Sequence, residues 1–144
     1  MSTNLNQHTE ILRELARKEI EILKNAQQPL VRVAGPWTTG GFGYEENIRR
    51  FDKAEKALRK RGYTIVDYFT SEETIKKLRN ENVDPDLIMD EYHKPILESG
   101  YIQKAFFMPR SDESAGATWE RNFIRDYTNI EILEVPEDWI TETE

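Results

Sequence analysis

The chain has no cysteine and only two histidines, His8 and His93. Without thiols there is no disulfide framework and no metal site built on Cys. Two imidazoles so far apart in sequence exclude a His-rich zinc site and speak against a Ser-His-Asp arrangement. Neither a metal nor a cofactor is expected. No apolar run approaches the ~20 residues that span a bilayer, so no membrane partner is expected. Basic residues are in deficit, 20 Lys and Arg against 27 Asp and Glu, for a net charge of −7. Gripping a long nucleic acid requires clustered Lys and Arg, so that partner is not expected either. A local basic pocket for one phosphate remains compatible with the composition. The N-terminal stretch lacks the basic, apolar and small-residue pattern of a secretory leader, and the expected location is cytoplasmic.

What is present suits one domain with one core. The length is 144 residues, 38% of them hydrophobic and 33% charged; such a mixture folds with a well-solvated surface. Residues 5–27 read as an amphipathic helix with Leu5, Leu12, Leu15, Ile22 and Leu23 near one face. Two roles fit it: a helix packed on the flank of its own domain, or a contact between two copies. The division expected is therefore 1–29 as an N-terminal helix and 30–144 as an α/β domain.

The β-branched run Leu30 to Ala34, stopped by Gly35-Pro36, predicts a strand. A glycine-rich loop follows, then a helix over about 45–61 with Ile48, Phe51, Ala54, Ala57 and Leu58 on one stripe and Gly62 as its C′ residue. Tyr63 to Tyr68 predicts the second strand. Strand, loop, helix, strand is the βαβ order of a parallel sheet. Ser71 to Asn82 predicts a polar helix. A further helix starts at the Asp84 cap with Pro85 at its first position and runs to about His93, before Pro95. Tyr101 to Met108 predicts a third strand, a helix follows over about 117–127, and Ile130 to Val135 is the last strand. Trp139 is the expected anchor of the acidic tail. The fold class is thus α/β: a single-domain, Rossmann-like (flavodoxin-like) parallel sheet of four or five strands flanked by helices, with an N-terminal helical extension.

Two loops lie after predicted parallel strands and before helices, where open α/β sheets bind ligands. The first carries Gly35, Gly40, Gly41 and Gly43. It matches neither G-x-G-x-x-G nor a Walker A loop, which weighs against dinucleotides and nucleoside triphosphates. Trp37, Phe42 and Tyr44 in it have faces that suit a nucleobase; a hydrophobic lid packed on the domain is the other role, the one that better suits Phe42. The second loop, Ser114-Ala115-Gly116-Ala117-Thr118-Trp119-Glu120, puts a hydroxyl, a glycine and a carboxylate at the start of a helix, where the dipole favours negative charge. Ala117 stands three residues before Glu120, so a capping box does not account for the acid. Trp119 reads as core.

These residues resemble a known family. Val33-Ala34-Gly35-Pro36, then Asn47 and Phe51 opening a helix, then Leu58 and Gly62-Tyr63, are similar to the first half of nucleoside 2-deoxyribosyltransferases and their phage-type relatives. Phe106-Phe107-Met108-Pro109, followed by Ser114-Ala115-Gly116-Ala117 and Glu120, resembles that family's strand, loop and catalytic glutamate. The likeness spans about residues 30–135. It implies that Glu120 attacks the anomeric carbon of a deoxyribosyl group, as a carboxylate nucleophile does at an oxocarbenium-like centre. It implies that Ser114 takes the position where base-exchanging members usually carry Asp on the sugar 5′-hydroxyl; a Ser there suits a phosphate. Gly116 would offer its N–H to the same anion, and Gly35, Pro36, Trp37, Gly41 and Tyr44 would shape the sugar and base pocket. An acid in the preceding helix assists the leaving base in the family, and Asp90 is the residue here that fits, with His93 next. The sequence departs from the family pattern at three places. Arg32 replaces a Tyr that orients the nucleophile, Gln103 falls near a common Asp, and Arg121-Asn122 replace an apolar residue and a glycine.

The resemblance therefore implies hydrolysis of the N-glycosidic bond of 2′-deoxynucleoside 5′-monophosphates. Base exchange between nucleosides and nucleotide binding without turnover are the alternatives. The partner expected is a small nucleotide or nucleoside, and the assembly a homodimer or higher homo-oligomer.

Overall fold

The computed structural model describes residues 3–36, 40–66 and 69–141, with residues 3–6 and 69–72 by their backbone alone. The chain folds into two compact units, each built from two stretches of sequence. One joins Met1–Ala26 to Asp67–Tyr101 and is helical; the other joins Gln27–Val66 to Ile102–Glu144 and holds the sheet.

The sheet has four parallel strands in the order β2-β1-β3-β4, namely β1 (Leu30–Ala34), β2 (Thr64–Ile65), β3 (Ile102–Phe107) and β4 (Glu131–Glu134). The architecture is the α/β class that the alternation of strands and helices predicts. β1 and β3 are central and rich in buried apolar residues, as strands covered on both faces must be. Strand β2 is shorter than its predicted run; Val66 N–H still donates to Val31 O at 2.8 Å, and Asp67 and Tyr68 lie outside the described residues.

Each face of the sheet has its own cover. Val31, Val33, Phe106 and Met108 form one core with Phe51, Ala54 and Leu58 of α2 (Tyr44–Lys60) and Ile140 of α7 (Glu137–Thr141). Trp139 packs against that core and carries the Arg61 guanidinium on its ring at 4.2 Å, so the tail is anchored as expected. Arg32 and Phe107 meet α6 (Ala115–Tyr127) on the opposite face. Between them the strands make one irregularity. Leu30 pairs with Ile102 but Val31 with Lys104, leaving Gln103 as the extra residue of a bulge. The Gln103 side chain bends back, and its Oε1 accepts the Leu30 N–H at 2.7 Å. The residue near a common family Asp thus mends a backbone register slip.

In the helical unit, α1 (Thr3–Asn25) packs on α3 (Phe69–Asn80), on a π-helical turn (Met89–His93) and on α5 (Lys94–Glu98). Its buried seam is Leu12, Ala16, Glu19 and Leu23, a spacing of four, three and four residues. Ile22, expected on that face, is exposed, because it stands ~100° around the helix from Leu23. The Arg13 guanidinium donates to both carboxylate oxygens of Glu91, at 3.0 and 3.1 Å. Asp84 caps α4 (Pro85–Ile88) by accepting the Asp86 N–H at 2.9 Å.

The helix then continues past Pro95 instead of stopping before it. The π turn makes Lys94 N–H reach back to Met89 O, and Pro95 falls in the first turn of α5, where no N–H is required of it. The widened turn is what lets proline sit inside a continuous helical path.

Candidate functional site

Glu120 owes its place to the way α6 begins. Ser114 is extended and its Oγ accepts the Ala117 N–H at 3.2 Å, an N-cap that starts the helix at Ala115. Ala117, Glu120 and Ile124 then share one face, three and four residues apart, and all three are buried. Glu120 is 5% exposed. A carboxylate so far out of water needs a partner. Arg32, from the middle of β1, supplies it: its Nε donates to Glu120 Oε1 at 2.9 Å. The position that carries an orienting Tyr in the resembled family therefore still carries a donor to the glutamate, now a cationic one.

The cap uses an acceptor lone pair of the Ser114 hydroxyl and leaves its O–H to donate. Gly116 stands in the exposed first turn of α6, and a Cβ there would meet nothing within 4 Å. Its backbone is open to approach.

The loop after β1 is built differently from a flexible phosphate cradle. Gly35 lies against β3: a Cβ on it would sit 2.5 Å from Met108 Cβ. Pro36 is buried, and Trp37 lies outside the described residues. Gly41 has φ +62°, and a Cβ on it would lie 2.6 Å from Asn47 Oδ1 and 2.7 Å from Pro36 Cβ. Asn47, buried at the start of α2, staples the loop: Oδ1 accepts the Phe42 N–H and Nδ2 donates to Gly40 O, both at 3.0 Å. The Phe42 ring has the Arg50 guanidinium at 4.1 Å and that of Arg110 at 4.5 Å. Tyr44 opens α2 and is exposed.

The two loops are joined through Glu113. Its carboxylate accepts the Gly41 N–H at 3.0 Å and pairs with Arg110. The Arg110 hydrogen bond, with help from the Gly41 N–H, holds the Glu113 carboxyl below its ordinary value of 4.5. Arg110 itself has φ 65°, a left-handed conformation costly for a residue with a side chain. Arg50 is buried and binds both oxygens of Glu137 at 2.9 Å. Arg50, Arg110 and Glu113 hold these loops together, contacts that sequence reasoning missed. The available signal was Arg50 falling on the apolar stripe of α2 one residue before Phe51.

Asp90 belongs to the helical unit, on the π turn, and its carboxylate pairs with Lys94 Nζ at 2.7 Å. His93 ends the same turn, with its ring edge-on to Tyr92 at 4.9 Å. Trp119 is half-buried and stacks on Phe123 at 5.3 Å, within 5° of parallel, so its role is packing along α6.

A cavity of about 280 Å³ opens beside the second loop, lined by Met108, Arg110, Ser111, Asp112, Thr118, Arg121 and Glu134. Among the described residues, no group of three or more His, Asp or Glu is placed to hold a metal ion, and no helix is long and apolar enough to cross a membrane. Compared with protein-family models, with curated proteins and with solved structures, the chain gives no match.

Proposed function

We propose that the sheet unit hydrolyses the N-glycosidic bond of a 2′-deoxynucleoside 5′-monophosphate, with Glu120 as the nucleophile. The observation that carries this reading is the Arg32–Glu120 pair, which fixes a buried carboxylate at 2.9 Å from a guanidinium in an α/β sheet unit. In the reaction, a Glu120 carboxylate oxygen bonds to C1′ while the C1′–N bond breaks. The bonding pair leaves with the base, which takes up a proton. Water then cleaves the glycosyl ester, releasing 2-deoxyribose 5-phosphate and restoring the carboxylate. The Ser114 O–H and the Gly116 N–H, at the N-terminus of α6, hold the phosphate. The loop from Gly35 through Tyr44 shapes the sugar and base pocket.

One feature favours a second reading, nucleotide binding without turnover. A guanidinium bonded to the nucleophile draws charge from it, and a neutralised carboxylate attacks less readily than one oriented by a neutral hydroxyl. Ile11 and Ile22, exposed on α1, supply apolar surface for the homo-oligomer that accompanies this reading.

The test is to incubate the purified protein with each deoxynucleoside monophosphate and with its nucleoside, and to follow free base by chromatography. Base is expected from the monophosphates alone, and Glu120→Ala should abolish it. Hydrolysis surviving in E120A would remove Glu120 from the chemistry. Saturable nucleotide binding with no base released would establish the second reading. A mixed nucleoside, formed when a second free base is supplied, would identify base exchange.

A further inference from the structure

The cavity beside α6 is the part of the sheet unit that the glycosidase reading leaves unused: Glu120, Ser114 and Gly116 are absent from its wall. Its lining residues include two arginines, Arg110 and Arg121, two hydroxyl residues, Ser111 and Thr118, and two acids, Asp112 and Glu134. Thr118 and Arg121 are three residues apart on α6, so they share a face. Arg121 is held in place from two sides. Its guanidinium lies 4.4 Å over the ring of Phe107, which is fully buried, and one N–H is given to Glu134. Of five N–H donors on a guanidinium, that contact uses one. Arg110 reaches the cavity from a left-handed backbone, the kind of strain that folded proteins keep where a side chain must point in a set direction.

We propose that this cavity is a binding site for the phosphate group of a small molecule, with Arg121 and Arg110 as the cationic ligands and Ser111 and Thr118 as hydroxyl donors. The carboxylates do not forbid it. Glu134, the partner of Arg121, is well exposed and Glu113, the partner of Arg110, partly so, and exposed pairs contribute only ~0–1 kcal/mol each. Arginine bonds carboxylate and phosphate alike through charge-assisted, often bidentate contacts, so a phosphate can replace the exposed carboxylate of Glu134 on Arg121 at small cost. The cavity volume, about 280 Å³, lies just below the range of small-ligand pockets (~300 Å³ and above), which suits a phosphate with a short appended group. Arg121 also accounts for a departure noted in the sequence: the residue after the glutamate is a cation because its face of α6 looks into this cavity, away from the buried Glu120 face.

The probe is inorganic phosphate, titrated into isotope-labelled full-length protein at constant ionic strength, with acetate as the control anion. Saturable amide shifts are expected at Arg110, Ser111, Thr118 and Arg121, the residues of the cavity wall, with binding weaker by about tenfold (~1.4 kcal/mol) in Arg121→Gln. Thr118→Val, which touches neither ion pair, should weaken binding severalfold and covers the case in which R121Q fails to fold. Linear, unsaturated shifts, acetate binding as tightly as phosphate, or wild-type affinity in a folded R121Q or T118V would each overturn the proposal. Because the readout is phosphate binding at Arg121 and Thr118, which the glycosidase reading does not use, failure here is separable from failure of that reading.

Discussion

Arg32 is a charged residue in the middle of a central strand, flanked by Val31 and Val33, which are almost wholly buried. The carboxylate of Glu120 on α6 compensates that charge. Removing one member of such a pair leaves a buried charge without compensation, which typically costs several kcal/mol. Arg32→Met is expected to destabilise the protein by about 3 kcal/mol, read from urea denaturation. The double variant R32M/E120Q should recover a good part of that loss, because no buried charge remains. A cost for R32M below ~0.5 kcal/mol, the range of an ordinary surface change, would show that the pair does not hold β1 to α6. From sequence, Glu120 was legible as an acid near a helix start. Its burial was not, because burial depends on which face the Ser114 cap turns toward the sheet.

At the scale of elements, the loops after β1 and β3 act as one unit through Glu113. Its carboxyl is held below the ordinary 4.5, first by Arg110 and then by the Gly41 N–H. A depressed value means that the ionised form favours the closed loops. That contribution is therefore complete above the ordinary carboxylate value and is lost as pH falls through the lowered folded value. The Gly41 amide resonance should stay constant down to about that ordinary value and then move with a midpoint below 4.5. Glu113→Gln should remove the transition. A midpoint at or above the ordinary value would mean that Glu113 does not latch the loops. The glycines of the first loop were visible in the sequence, and a ligand cradle was one explanation for them. The structure supplies another. Gly35 makes room for Met108, and Gly41 fits between Asn47 and Pro36, contacts with residues that a local reading has no means of pairing.

For the whole molecule, the main feature is that the first helix and the stretch 67–101 form one compact unit, interrupted in sequence by the first strands of the sheet. Leu12, fully buried on α1, sits on the seam that serves this unit. Leu12→Ala should cost about 3 kcal/mol, with the loss seen in helical circular dichroism on urea denaturation. Ile22→Ala, at an exposed position of the same helix, should cost less than ~0.5 kcal/mol. Equal costs would mean that the 12-16-19-23 seam is not the one that packs.

The sequence by itself determined the alternation of strands and helices. It placed β1, β3, β4, α2 and α6 to within a few residues, and it set the start of α4 through Asp84, while α6 begins at Ala115, two residues before the expected 117, on the Ser114 cap. These are properties of neighbours: apolar periodicity, caps and turn residues act over one to four positions, so they are written where they act. It misjudged the helix around Pro95, where a π turn outside the usual repeat carries the chain past proline. Only the tertiary structure decided that Arg32 meets Glu120, 88 residues away, that Gly41 meets Glu113, 72 residues away, and that α1 finds its partners beyond the second strand. Those pairings exist because chain closure brings remote residues together, and no local spacing records which distant charge will arrive.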